Sequence, residues 1–416
     1  MACRVFRRRS DPLECSQAEH ESGFRTEVGP VLHLVLIFLL NFTGRIVLAP
    51  LMPAIEEDLG LSHGQAGSLF LLVTAGYFLT VMLSGFLSSR VNHRRTIIFS
   101  GAAVGLVLLS VSRCQGLWGI RLGLFALGLA AGFYLPSGIA VLTSLVSSRH
   151  WGKALAVHEL APNLGFVLAP LLAEAFLGFM TWRGVLAVLG LMSFFLAFVF
   201  ARFGRGGRFK GEPPNLKAFR MFLDRPSFWI MIALFGAGVA GSLGVFSMLP
   251  LYLTAERGMG RGFANTIIGL SRVAGLFTAF IAGWATDRIG AQRTLTYVLF
   301  ATGFLTLLLA ALPGYWIILP VFLQPMVAVC FFPAGFAAIS RIGPPEIRSI
   351  AVSLTVPMGF LLGGGIAPIG IGMMGDAGAF GFGIGALGMC ILVGSFLSRY
   401  LAFSSDSPPP SGLYSR

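Results

Sequence analysis

About twelve apolar stretches, each roughly the twenty residues that a helix needs to cross a bilayer, run through this chain of 416 residues and are parted by short polar turns. Backbone facing lipid must satisfy its own hydrogen bonds, so each stretch is read as a helical crossing. Residues 31–40 and 184–203 show none of the period-two alternation of a barrel strand. Composition closes the soluble alternative. The chain is 56% hydrophobic and 11% charged, against about 45–50% and about 25% in ordinary soluble domains. Too few charges remain to cover a water-facing surface, so much of the exterior must face lipid. The expectation is an all-α membrane protein.

The net charge of +13 argues for orientation rather than for a nucleic-acid partner, because the cations gather in alternate turns. Predicted helices fall at about 31–54, 64–87, 96–111, 117–146, 154–178 and up to 203. The second series falls at about 227–254, 264–284, 294–311, 315–340, 350–374 and 380–403. Residues 204–226 carry Arg205, Arg208, Lys210, Lys217, Arg220 and Arg225 with Pro213-Pro214 and read as a solvated linker. The organisation is therefore a tail over 1–30, a six-helix bundle over 31–203, the linker over 204–226, a second bundle over 227–403 and a tail over 404–416. An even number of crossings puts both termini and the linker on one side. Arg4, Arg7, Arg8, Arg9 and Arg25 join the linker cations there, while Arg113, Arg183, Arg257 and Arg261 lie opposite. This bias assigns the termini to the cytoplasm and the protein to a plasma membrane, the inner one in a bacterium. Arg7-Arg8-Arg9 is parted from the first apolar run by an acidic, polar stretch, which suits a cytoplasmic tail rather than a cleaved leader.

The two halves carry a repeat. Gly283-Trp284-Ala285-Thr286-Asp287-Arg288-Ile289-Gly290-Ala291-Gln292-Arg293 crosses from an apolar run into a basic turn, and Gly85-Phe86-Leu87-Ser88-Ser89-Arg90-Val91-Asn92-His93-Arg94-Arg95 is a degenerate copy. Such a repeat points to two like halves. Gly283 is suited to close helix approach, Gly290 to a tight turn, and Asp287 to a pairing role with Arg288 and Arg293 or a helix N-terminus.

Twelve helices in two halves, a basic linker and this turn resemble the major facilitator superfamily. The turn matches that family's G-x-x-x-D-[RK]-x-G-x-[RK]-[RK] signature, except that Gln292 stands where a basic residue is usual. The resemblance implies two pseudo-symmetric six-helix bundles of twelve transmembrane helices. It also implies a gate built from Gly283, Asp287, Arg288, Gly290 and Arg293, with Gly85 and Arg90 as its first-half counterpart. Ser89 replaces the family's acid and Asn92 its glycine in that copy, so the stronger gate is expected in the second half. Arg121 with Gly123, Gly128 and Gly132 resembles the family's fourth-helix pattern in proton-coupled members. Gly165-x-x-x-Ala169-Pro170 is similar to the antiporter motif with alanine in place of a glycine.

Ionisable residues inside crossings are costly and mark function by default. Arg45 and Arg272 each lie about fifteen residues from the linker end of their helices, roughly 22 Å deep at about 1.5 Å per residue. One sits in each half. Two guanidiniums at one depth suit a carboxylate, sulfate or phosphate ester, since arginine pairs bidentately and stays charged. The segment from Gly44 to Pro53 is similar to the first-helix arginine segment of organic-anion symporters, though Gly44 replaces their acid. An arginine in the eighth helix resembles the monocarboxylate transporters, whose aspartate is Ile268 here. Asn41, Tyr134 and Gln324 are the further substrate-contact candidates, with Tyr77, Asn163 and Tyr252 behind them; each serves equally as a bond between helices. Glu159 is the expected proton carrier and Arg121 its coupling partner. His158 precedes Glu159 and is turned about 100° from it, so a facing pair is not expected.

Nothing in the sequence suggests an enzyme. There is no Walker loop, no HExxH and no nucleophile–base pair, and Cys3, Cys15, Cys114, Cys330 and Cys390 show neither CxxC pairing nor metal spacing. No cofactor is expected. The reading is a secondary transporter, acting as a monomer, of a small anionic solute moved with protons by alternating access. Its rivals are a proton-driven efflux pump and a non-transporting scaffold or sensor of the same fold.

Overall fold

The computed structural model describes residues 24–147, 150–211, 226–342 and 348–403. Most of the N-terminal tail, the C-terminal tail, Arg149, Lys217, Arg220, Arg225, Cys3 and Cys15 lie outside them. Among the described residues twelve helices are long and apolar enough to cross a membrane. They are α1 (Val28–Leu59), α2 (His63–Arg90), α3 (His93–Arg113), α4 (Leu117–Leu145), α5 (Trp151–Leu177) and α6 (Trp182–Phe203) in the first half. The second half holds α7 (Pro226–Glu256), α8 (Arg261–Ile289), α9 (Ala291–Ala311), α10 (Gly314–Ile339), α11 (Ala351–Asp376) and α12 (Phe380–Tyr400). The protein is thus an all-α membrane protein of two six-helix bundles. Two boundaries move. The backbone is already helical from Phe24, inside the expected tail, and α1 continues through Glu56-Glu57-Asp58 to Leu59 before Gly60 ends it at φ 61°.

Prolines accompany three of the breaks in the crossings. A proline has no N–H for the carbonyl four residues earlier. Pro50, Pro136 and Pro333 accordingly lie just past interruptions at Val47, Phe133 and Val329–Cys330. α7 and α11 are interrupted instead by π turns at Ala240–Gly244, Tyr252–Glu256 and Leu361–Ile366. The starts are capped where a side chain allows: Ser62 and Gln65 form a capping box on α2, and Asn92 accepts from the Arg95 N–H at the start of α3.

The two halves repeat one packing device. A Cβ added at Gly105 of α3 would lie 2.7 Å from the Gly190 carbonyl oxygen of α6, and one added at Gly303 of α9 would lie 2.8 Å from the Gly388 carbonyl of α12. In each half the third and sixth helices therefore touch backbone to backbone. Large side chains such as Leu122, Phe195, Phe277 and Phe280 are exposed, as the outside of a bundle set in lipid allows.

Two faces can be named by what they carry. On the linker face, Ser227 Oγ bonds the Ala402 carbonyl and the Gly211 N–H donates to the Ser88 carbonyl. The turns α1–α2, α7–α8 and α11–α12 form the distal face. From mid-depth to the distal face one apolar core joins both halves, running from Phe42–Ile55 of α1 to Val245–Leu253 of α7 and Ile371 of α11. Toward the linker face the core divides into one cluster for each half. The bundles are joined distally and part toward the linker.

Candidate functional site

The joined core ends, at mid-depth, on two arginines. Arg45 lies two residues before the break in α1 at Val47. Its guanidinium rests 4.3 Å from the Tyr77 ring centroid and 5.2 Å from that of Phe42, with Nε donating to the Asn41 carbonyl at 3.4 Å. Arg272 stands at a break in α8, where its own N–H bonds the Gly269 carbonyl three residues back. It is 7% exposed. Its guanidinium lies 4.5 Å from Phe166 and 5.0 Å from Phe246, and its Nη2 donates to the Ser242 carbonyl at 2.9 Å.

These contacts join up. Phe42 meets Phe166 edge-on at 5.2 Å, and Phe166 meets Phe246 edge-on at 4.9 Å. An aromatic strip from α1 through α5 to α7 therefore runs between the two cations and crosses from one half to the other. Among the described residues neither arginine is ion-paired, and the bond given for each uses one of five N–H donors. Cation–π contact on both flanks holds each charge without neutralising it. Beside Arg45 is a cavity lined by Phe42, Tyr77, Leu243, Ser247, Phe360 and Gly364 among others. It is about 30 Å³ in volume, room for one or two waters.

The other expected residues fall differently. Asn41 is turned into the first bundle, donating to the Ala131 carbonyl at 3.3 Å and toward Ser100 Oγ at 3.5 Å. Tyr134 is fully buried, its hydroxyl donating to the Leu34 carbonyl at 2.6 Å and lying 3.1 Å from His158 Nε2. Gln324 donates to the Gly241 carbonyl at 2.7 Å, inside the π turn of α7 where a helical bond is displaced. All three tie helices together and none lines the cavity. Arg121 is in the second turn of α4 from its distal end, its guanidinium 5.1 Å from the exposed Trp118 ring. That place suits an anchor at the membrane interface. The glycines that follow it serve packing: a Cβ at Gly128 would lie 2.0 Å from the Val73 carbonyl of α2.

Glu159 is exposed, its side chain 54% accessible, within Coulombic reach of Tyr77 and Tyr134. The expectation that His158 and Glu159 do not face each other is also corrected. His158 Nδ1 lies 3.6 Å from Glu159 Oε1, because both side chains are long enough to close the angle between neighbours.

The basic turns sort into distinct parts. Gly290 adopts φ 89° between α8 and α9, a conformation that L side chains resist. Gly283 has nothing within 4 Å of an added Cβ, so the close helix approach expected of it is absent. Asp287, Arg288 and Arg293 form no ion pair among the described residues, nor does Arg90; Arg288 lies over the Trp284 ring at 5.6 Å. Gly85 lies in the last turns of α2, its carbonyl accepting from Ser88 Oγ at 3.2 Å. Arg94 donates to the carbonyls of Phe200, Ala201 and Gly204 at the end of α6. Gln292, at the matching position, donates to those of Ser398 and Arg399 at the end of α12. The departure from a basic residue thus preserves the bond to the last helix of each half and gives up only the charge–dipole contribution.

The distal face holds polar bonds between the halves that the sequence reading missed. The Asp376 carboxylate, at the end of α11, accepts from Ser62 Oγ at 2.8 Å and from the backbone N–H groups of His63 at 2.7 Å and Gly64 at 3.0 Å, at the start of α2. Asn265 of α8 donates to Glu174 of α5 at 3.2 Å and to the Pro50 carbonyl at 3.3 Å. Arg261 Nε lies 3.5 Å from Glu174. A capping box starting at Ser62 is legible in sequence; its partner 314 residues away is not.

A family model described as Major Facilitator Superfamily matches residues 34–368. A Protein TsgA homolog of Erwinia tasmaniensis is 26% identical over 68% of this chain and 71% of its own length. The Membrane sensor protein UhpC of Salmonella typhimurium is 25% identical over 66% and 67%. A probable hexose phosphate transport protein of Chlamydia trachomatis is 22% identical over 64% and 64%. Among solved structures, a bacterial homolog of the human lysosomal transporter Spinster, in an inward-facing and occupied conformation, superposes with a TM-score of 0.78. It is 16% identical and the match covers 92% of this chain and 97% of that one.

Proposed function

Because this chain belongs to the Major Facilitator Superfamily and is one of its transporters, we propose that it moves a small organic anion together with protons by alternating access. The linker face is cytoplasmic in this reading, as the cation bias supports, and the described conformation is the one closed distally. Arg45 and Arg272 bind the anion from opposite halves, so that occupation draws the bundles together. Glu159 is the coupling acid, and the turn at Asp287 and Arg288 locks the linker face in the opposite state. A relative named for hexose phosphate transport is in keeping with an anionic cargo.

One observation carries the proposal: two uncompensated guanidiniums flank an aromatic strip at mid-depth. Buried charge without a partner is expensive, and an anionic solute is the natural partner. The test is a thermal-shift and proteoliposome-uptake screen of carboxylates, sulfonates and phosphate esters, repeated with Arg272→Ala. At least a tenfold loss of apparent affinity is expected, since charged hydrogen bonds of about 1.5–3 kcal/mol are removed. The mostly apolar cavity lining favours a second reading, export of lipophilic solutes. Cationic dye export that is indifferent to Arg272→Ala establishes that reading instead. Silence toward every solute, with a stable protein partner retained, leaves a sensor.

A further inference from the structure

We propose that the coupling proton is held by a two-residue site, His158 Nδ1 together with the Glu159 carboxylate, and that Tyr134 sets the imidazole tautomer that makes this possible. The proposal rests on the proton-coupled reading above and names a partner for Glu159 within it.

The argument is one of donor counting. Tyr134 has a single hydroxyl proton, and it lies on the Leu34 carbonyl at 2.6 Å. Two oxygens cannot approach so closely without a proton between them, so that proton is not available to His158. The contact of Tyr134 with His158 Nε2 at 3.1 Å is then a bond in which Nε2–H donates and the tyrosine oxygen accepts. A neutral imidazole carries one proton. Nδ1 is therefore a bare lone pair. It is buried without a hydrogen-bond partner in a residue that is 0% exposed, and it lies 3.6 Å from Glu159 Oε1. Two acceptors face each other, and one proton is missing between them.

The surroundings keep that proton local. The imidazole is stacked on the Phe38 ring at 4.5 Å, and the Tyr134 ring, which shares that Phe38 face at 5.2 Å, lies nearly parallel beside it at 5.9 Å; together they fix its plane. Pro162 offers no N–H to the His158 carbonyl, so a further acceptor is left in the same turn. Among the described residues α4 offers Tyr134 as the titratable group and α2 offers Tyr77 within reach of Glu159. α1 offers the Phe38 ring and the Leu34 carbonyl and carries Arg45 over the Tyr77 ring at 4.3 Å, and α8 carries Arg272 over Phe166 of α5 at 4.5 Å. Among the described residues no cation is bonded to the pair. One proton arriving from water on the exposed carboxylate side joins Nδ1 to the carboxylate and takes the pair from −1 to neutral. No other bond changes.

Nitrogen-15 spectra of the imidazoles in the full chain in nanodiscs, with His158 assigned through His158→Gln, test this without any substrate. The expected result at high pH is a bare Nδ1 and a protonated Nε2, with Nδ1 gaining a proton on acidification. In Glu159→Gln the amide N–H₂ fills the gap, and proton affinity at His158 is expected to fall at least tenfold. Tyr134→Phe, which keeps the ring stack, is expected to mix the tautomers. A proton found on Nδ1 at high pH, or a titration unmoved by Glu159→Gln, overturns the proposal. A titrating pair in a protein that couples no anion flux overturns the transport reading alone. Proton-driven anion flux with a silent His158 overturns this site alone.

Discussion

Replacing Asp376 by asparagine is expected to loosen the distal closure. The carboxylate accepts three bonds at 2.7–3.0 Å from the first turn of α2, across the boundary between the halves. It also places a negative charge on the positive end of that helix. Asparagine keeps one acceptor oxygen and loses the charge. Bonds to a charged group contribute about 1.5–3 kcal/mol where neutral ones contribute about 0.5–1.5, and the charge at the helix N-terminus adds about 0.3–1. Asp376 is exposed, so the low end of each range applies and the loss is about 1–2 kcal/mol. That changes the ratio of distally closed to distally open molecules by a factor of about 5 to 30. Spin labels at Glu57→Cys and Ala255→Cys, both exposed distal positions on opposite halves, read the distance in a background without the native cysteines. The asparagine variant is expected to move population to the longer distance. A distribution identical to that of the parent refutes the latch.

Asp287→Asn is expected to slow transport more than Ser89→Ala, because only the second-half turn has the acid for a linker-side lock; equal effects in a flux assay count against that asymmetry. Gly128→Ala should lower thermal stability by about 1–3 kcal/mol, the usual range for overpacking, since its methyl would lie 2.0 Å from the Val73 carbonyl; an unchanged Tm in nanodiscs contradicts the α2–α4 contact. Gln324→Leu should cost about 1–3 kcal/mol by leaving the Gly241 carbonyl without its donor, read as a lower unfolding midpoint.

The twelve crossings and their division into halves were legible because lipid selects sequence directly: a helix that must lie in hydrocarbon is apolar on every side. That uniformity is also what hid the site. Spacing along an apolar helix gives depth, and both Arg45 and Arg272 are found at mid-depth. It does not give azimuth, because a lipid-facing stripe and a bundle-facing stripe look alike. Asn41, Tyr134 and Gln324 were therefore indistinguishable from cleft residues until their partners on other helices were known. The depth of Arg121, by contrast, was legible. Its helix begins at Leu117, so its depth is that of an interfacial arginine. The aromatic strip was unreadable in principle, since Phe42, Phe166 and Phe246 belong to three helices and are three among 38 phenylalanines.

Where α2 and α11 cross on the distal side, Gly67 faces the Pro368 carbonyl and Gly372 faces that of His63, and a Cβ added at either glycine would lie 2.5 Å and 2.2 Å from those oxygens. At these two points main chain meets main chain with no side chains interlocked, so once the Asp376 carboxylate lets go of the start of α2 the surfaces can part and reseal there without rotamer changes. The same flatness leaves it no tolerance. A single methyl at either glycine is a wedge, and a carrier propped ajar in this way would leak along its gradient rather than couple to it.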